Sequence, residues 1–419
     1  MEKRLLLLGF GAMISFFAST VYAQEIAEEE VECPLSITLS GEIDASVRNY
    51  TGTRFDTENG PENENSALAR IPSMDLYMEY NFAPKWLATA DVEFISGCGI
   101  QVDEISLSYD FNPSFGLKAG LFTLPIGYCN NCHGYLDYFM TGDPEGEYDM
   151  IPCPFSETGI AAYGELMYNI SYQVSLTTAV NPFMFSSTNW IQGATQGFFS
   201  DEANFSSPAI TATVNYDGIK NLHLGAGVYF TPNSAKNMSL YSLYKDFCIY
   251  QTGKKYSLPV TLWFAEAEYA HRYFTARASY LQGNLGNAQC FSDFINFLPE
   301  DVAEEYEIDY EGDVIGKQII SYMGEIGLNL KECFYPETNG PVLTPFVHYE
   351  CYDSQHKVSP NQMEDRNPAS KVRMWSVGMN WKPIENIAVK CNYTNRKLGS
   401  GGLNSMNEIN LGIAYSVDF

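Results

Sequence analysis

The chain has 419 residues, 45% of them hydrophobic, and a formal net charge of −27. Such acidity excludes nucleic acid as a partner, because a phosphate backbone repels it. One long apolar run occurs, at the N-terminus, so a bundle of membrane-spanning helices is excluded. Any crossing must use a closed barrel, which leaves no backbone group unpaired in lipid.

Lys3 and Arg4 precede an apolar run from Leu5 to Phe17, followed by Val21-Tyr22-Ala23. This is the layout of a secretory signal. A membrane anchor is the competing reading, but the run falls short of the ~20 residues a spanning helix needs. We expect residues 1–23 to be a signal peptide, 24–34 an acidic periplasmic lead, and 35–419 a single transmembrane barrel.

From Ile37 onward, apolar and polar residues alternate with period two. The apolar phase runs through Ile37–Val47, Leu76–Phe82, Trp86–Phe94, Ile105–Tyr109 and Leu117–Leu121. It resumes at Ile160–Leu166, Tyr172–Val180, Ile210–Tyr216, Leu222–Phe230, Trp263–Tyr269 and Phe274–Tyr280. Ile320–Leu328, Val347–Cys351, Trp375–Trp381, Ile387–Tyr393 and a closing segment to Phe419 complete about sixteen predicted strands. An even number is what a bacterial single-chain barrel requires. A soluble secreted sandwich also alternates, but the connections favour the barrel. Short turns such as Phe82-Ala-Pro-Lys-Trp86, Phe111-Asn-Pro-Ser-Phe115 and Ala270-His-Arg-Tyr273 interleave with long segments near 50–65, 124–157, 181–207, 232–257, 282–316 and 353–369. With sequential pairing, the short turns gather at one end and the long loops at the other. That is the asymmetry of an outer-membrane barrel, periplasmic turns against external loops. Aromatics beside the short turns (Tyr80, Phe82, Trp86, Phe111, Phe115, Tyr269, Phe274, Trp381) fit an interfacial girdle. A short helix is expected near Pro299–Tyr306.

The face opposite the apolar one is acidic. It carries Glu42, Asp44, Asp75, Glu79, Asp91, Glu93, Glu104, Glu266, Glu268, Glu325 and Glu350, against Arg48, Lys118, Arg277, Lys390 and Arg396. Pairing among them cannot neutralise the excess, and an acidic, water-filled lumen attracts cations. The segment after the fifth strand adds Asp137, Asp143, Glu145, Glu147 and Asp149. No nucleophile elbow, phosphate-cradling glycine loop or zinc-protease helix occurs, so no enzyme, cofactor or metal is expected. Cys129-Asn-Asn-Cys132-His133 admits redox chemistry or metal binding, but a disulfide tying down a long loop, with Cys98 or Cys153 as further partners, is the favoured reading. Cys248 and Cys290, in long loops, pair with each other or cross-link to neighbours.

The stretches Met74–Trp86, Glu104–Phe111 and Gly116–Gly127, with Ile151-Pro152, Glu157-Thr-Gly159 and Tyr163-Gly164, resemble Gram-negative outer-membrane porins related to the phosphate-selective porins. The likeness covers roughly Leu35–Val180. It implies a sixteen-stranded homotrimeric diffusion channel whose loop after the fifth strand folds inward. Phosphate selectivity does not carry over, since it needs clustered Lys and Arg. The cysteine content resembles the disulfide-linked outer-membrane proteins of chlamydia-like bacteria, in composition only. The closing strand, ending on aromatic Phe419, resembles the signal read by the barrel-assembly machinery. The expected function is passive diffusion of small hydrophilic solutes or ions across outer-membrane lipid, with cation preference. The expected pore-lining residues are Asp91, Glu93, Glu104, Lys118, Glu266, Glu268, Arg277, Glu325 and Lys390. A non-enzymatic adhesin or disulfide-linked structural protein is the alternative.

Overall fold

The computed structural model describes residues 35–51, 62–97, 99–131, 134–197, 204–254, 257–305, 314–336, 340–399 and 405–419. The expected signal peptide and acidic lead, Cys98 and Cys132 lie outside the described residues. The wall opens with β1 (Leu35–Arg48), β2 (Ser66–Arg70), β3 (Ser73–Ala83), β4 (Trp86–Ile95), β5 (Gly99–Asn112) and β6 (Phe115–Thr123). It continues through β7 (Ser156–Leu166), β8 (Ile170–Thr177), β9 (Ala209–Ile219), β10 (Leu222–Thr231), β11 (Val260–His271) and β12 (Phe274–Leu285). It ends with β13 (Gln318–Leu328), β14 (Val342–Lys357), β15 (Lys371–Ile384), β16 (Ile387–Leu398) and β17 (Met406–Asp418).

Neighbours in sequence pair antiparallel, and β17 returns to β1 from Thr38↔Asp418 to Arg48↔Glu408, closing the barrel. β2 and β3 are two halves of one stave. β1 pairs with β3 from Leu35 to Gly41 and with β2 from Asp44 to Arg48. The break falls at Ile71-Pro72, where proline has no N–H for the ladder. The closed wall therefore has sixteen antiparallel staves, as the alternation predicts.

The alternation also set which face looks out. Ile43, Val47, Ile105, Ile160, Ile210, Val347, Ile409 and Leu411 are exposed on the outer wall, while Glu42, Glu79, Glu104, Glu266, Glu325 and Glu350 are buried inside. This is the inverse of a soluble fold and suits a lipid surround. At the short-turn end the rings of Tyr80, Phe82, Trp86, Tyr109, Phe111 and Phe115 form one chain, with successive centroids 4.7–6.2 Å apart. No helix among the described residues is long and apolar enough to cross a membrane.

Two connections depart from the expected asymmetry. The external link between β4 and β5 is a tight turn, and the periplasmic link between β13 and β14 carries a helix. The helices are α1 (Tyr128–Asn131), α2 (Glu145–Tyr148), α3 (Tyr241–Thr252), α4 (Ala288–Ile295), α5 (Glu300–Glu305) and α6 (Leu330–Phe334). α5 answers the helix expected near Pro299. The chain's main apolar core lies inside the external half of the barrel. Lumen-facing Tyr229, Leu262, Phe264, Leu281 and Ile319 pack with loop residues Phe183, Trp190, Tyr244, Phe291 and Phe294. Trp190 donates to the Gly316 carbonyl at 2.9 Å and lies against Gly283, where any side chain would collide with it. Cys248 on α3 and Cys290 on α4 form a disulfide that staples two external loops, resolving the alternatives left open by the sequence.

Candidate functional site

The connection between β6 and β7 (residues 124–155) turns into the barrel. Its neck is held by the Leu124 N–H donating to the Phe155 carbonyl at 2.8 Å. Leu124, Ile126, Met150, Ile151 and Phe155 belong to the interior core. Burial of these apolar residues draws the loop inward, because an outward course would leave them in water. The polar arm between them reaches several staves across the lumen. Asn131 donates to Glu266 on β11 at 2.9 Å, and Asn380 on β15 donates to the Tyr138 carbonyl at 3.3 Å. Thr141 donates through its backbone N–H to Asn392 on β16 at 3.2 Å.

One side of the lumen wall, from β11 through β17 to β1, is a chain of charge pairs that also grips the loop. Arg277 donates to Glu268 at 2.6 Å, to Glu325 at 2.8 Å and to the Asp137 carbonyl at 2.7 Å. Its guanidinium sits 4.7 Å over the Phe139 ring. His348 lies between Glu325 at 3.2 Å and Glu350 at 3.3 Å. Glu350 accepts the backbone N–H groups of Glu145 and Gly146 at the start of α2. Glycine is required there, since a side chain would run into Tyr352 and Ser321. Glu145 accepts from Arg396 at 2.7 Å, Arg396 donates on to Glu408 at 2.7 Å, and Arg48 reaches the same carboxylate at 2.8 Å. Lys390 and Glu42, both buried, stand 3.9 Å apart. Such pairs are stabilising only as complete sets, because removing one partner strands a desolvated charge.

The other side, β3 to β5, is different. Asp75 faces Glu93 in register, and Asp91 faces Glu104. A bulge at Asp91/Val92 adds Asp103 to the same patch, so Asp103 and Glu104, adjacent in sequence, are both buried. Only Glu104 has a base, Lys118 at 2.7 Å. Asp75, Asp91, Glu93 and Asp103 have no basic partner within ion-pair distance among the described residues. Their neighbours are neutral: Gln101 donates to Asp103 at 2.8 Å, and Tyr135 from the inward loop donates to Glu93 at 3.4 Å. One oxygen of Asp91 is buried without a hydrogen-bond partner. Carboxyls crowded this close repel one another when ionised, so their charge has to be offset by mobile cations or by protons.

All nine residues expected to line a pore lie on the lumen wall, but in two roles. Glu268, Arg277 and Glu325 are locked in the paired wall, Lys390 stands 3.9 Å from Glu42 without a hydrogen bond, Glu266 is taken by Asn131, and Glu104 with Lys118 forms a local pair. Asp91 and Glu93 belong to the uncompensated patch. The five loop acids divide similarly. Glu145 is an anchor. Glu147 is buried and accepts from the Cys129 N–H at 3.1 Å and the Ser279 hydroxyl at 3.0 Å, and burial holds its carboxyl up at about 7. Burial raises Asp137 to about 6 against the pull of Arg277 and Lys382. Asp143 is exposed at its side chain, and Asp149 is half-buried. Sequence reasoning missed Asp103, because strict alternation puts one of two adjacent acids outside. It also missed His348 as an ion-pair bridge. No group of three or more His, Cys, Asp or Glu arranged to hold a metal occurs among the described residues.

No family model matches the chain. It is 24% identical over 354 residues to an uncharacterized protein of Aquifex aeolicus, covering 80% of this chain and 72% of that one. Its fold is similar to the outer-membrane channel DcaP of Acinetobacter baumannii, at 12% identity and TM-score 0.54, covering 94% of this chain and 100% of that one. It is also similar to Pseudomonas putida OprB, at 9% identity and TM-score 0.53, over 92% and 94% of the two chains. The anion-selective porin from Comamonas acidovorans follows at 12% identity and TM-score 0.51, over 91% and 100%. The barrel shares its fold with these outer-membrane proteins, and its outward apolar face and aromatic girdle suit a bilayer.

Proposed function

We propose that the protein is a passive diffusion channel for small hydrophilic solutes or ions, and that it prefers cations. The observation carrying the preference is the group Asp75, Asp91, Glu93 and Asp103, which share one wall with no base within ion-pair distance among the described residues. An anion-selective porin has the same fold, so selectivity has to come from side chains and not from architecture. Fixed carboxylates beside a narrowed aqueous path raise the local cation concentration and exclude anions. The inward loop supplies the narrowing, with Asp137 and Asp143 at its arm. Planar-bilayer recording across a KCl gradient tests this. A reversal potential near the potassium limit is expected. A potential of opposite sign overturns the preference, and absence of conductance steps overturns the channel.

Kinship to the phosphate-selective porins rests on the hairpin motifs between Met74 and Gly127, assembly as a homotrimer on the porin likeness, and recognition by the barrel-assembly machinery on the strand ending at Phe419. A plugged surface protein is the second reading. It is favoured by the apolar core within the external half and by the Cys248–Cys290 staple. It predicts a silent bilayer.

A further inference from the structure

We infer that Cys129 and Cys153 form a disulfide in the exported protein, closing the neck of the inward loop. The two residues lie on the two limbs of that loop, 129 in α1 and 153 just before β7. Both are free thiols in the structure, and the Asn130 side chain, next in sequence to Cys129, reaches the limb that carries Cys153. The surrounding contacts fix both limbs. Asn130 donates to the carbonyls of Ile126 at 2.9 Å and Pro152 at 3.0 Å, and its amide nitrogen lies 3.7 Å from the Cys153 sulfur. The Phe155 N–H donates back to Asn130 at 2.7 Å. On the other side, the Cys129 N–H is held by Glu147, and its sulfur lies 3.6 Å from the Pro144 carbonyl. These six contacts hold the two limbs side by side at the neck, which places the two cysteines in one neighbourhood.

The chemistry balances with one co-reactant. Two thiols lose two protons and two electrons as the S–S bond forms. Those electrons and protons convert the disulfide of a periplasmic thiol–disulfide oxidoreductase to a dithiol. Burial pushes both thiols up, Cys129 most strongly. The thiolate is the reacting species, so exchange is slow once the loop is seated. The bond therefore forms before the loop closes over it and then persists as a structural lock. It would fix where Asp137 and Asp143 stand across the lumen, whatever the ion preference proves to be.

The test is peptide mapping of the full chain extracted from outer membranes, alkylated under denaturing conditions without reductant, then digested. The linked Cys248–Cys290 peptide is the internal control. A peptide joining Cys129 to Cys153 is expected. Alkylated Cys129 and Cys153, or Cys129 joined to Cys132, overturns the inference. For the locking role, C129S/C153S should be cut between residues 134 and 149 at least about tenfold faster by limited proteolysis than the unsubstituted protein. Equal cleavage rates with the barrel intact overturn it.

Discussion

The two sides of the lumen wall use the same residue types to opposite ends. From β11 to β17, acids are matched by Arg277, His348, Lys390 and Arg396, and the matched set holds the inward loop in place. From β3 to β5, Asp75, Asp91, Glu93 and Asp103 crowd together without bases among the described residues, and Tyr135 of the loop reaches Glu93. The paired side spends its charge on structure. The unpaired side keeps its charge available to mobile ions and bears the repulsion. A count of acids in the lumen therefore says little about selectivity until the acids held by bases are set aside.

Breaking the paired side should have the largest effect. Arg277→Ala strips Glu268 of its base and leaves Glu325 with His348 alone, which costs about 3–5 kcal/mol. The check is the urea midpoint of the folded, unheated band on electrophoresis, which should fall. Next comes pH. The Glu147 carboxyl, ordinarily near 4.5, is held up at about 7 by burial. A raised carboxyl favours the neutral form in the fold. Its contribution is complete below about 4.5 and is lost as pH rises through about 7, on the order of 3 kcal/mol. The inward loop should then loosen between pH 5 and 8, seen as rising open-channel noise, and Glu147→Gln should abolish that dependence.

The unpaired side should respond in the other sense. Neutralising it with Asp75→Asn, Asp91→Asn, Glu93→Gln and Asp103→Asn removes repulsion, so stability should hold or rise. The cation-to-anion permeability ratio should fall about five- to tenfold, the scale of a surface potential of a few kT. A variant that loses stability while keeping its reversal potential would reverse the contrast between the walls. The smallest effect is expected at the rim. Arg70 pairs with Asp44 at 2.9 Å but is mostly exposed, so Arg70→Ala should cost less than about 1 kcal/mol and leave the reversal potential unchanged.

Much of the fold is legible in the sequence. Alternation is a local property, since successive side chains on a strand must face opposite ways, and every long alternating segment became a stave. The break at Pro72 and the bulge at Asp103 were not legible, because each is a local exception that only ladder pairing exposes. The site was legible in part. The residues of the lumen face could be named, but not sorted into locked and free charges. Arg277 and Asp137 lie 140 residues apart, and Arg396 and Glu145 lie 251 apart. No spacing rule links such positions.

The sequence by itself determined the antiparallel staves, their outward face and the acidity of the lumen. It did so because a period of two and a one-sided distribution of charge are written residue by residue. Tertiary structure alone decided which staves the inward loop grips, and that one wall matches its acids with bases while the other, among the described residues, does not. These are contacts across the width of a closed barrel. Closure brings them together, and nothing short of closure fixes which stave faces which.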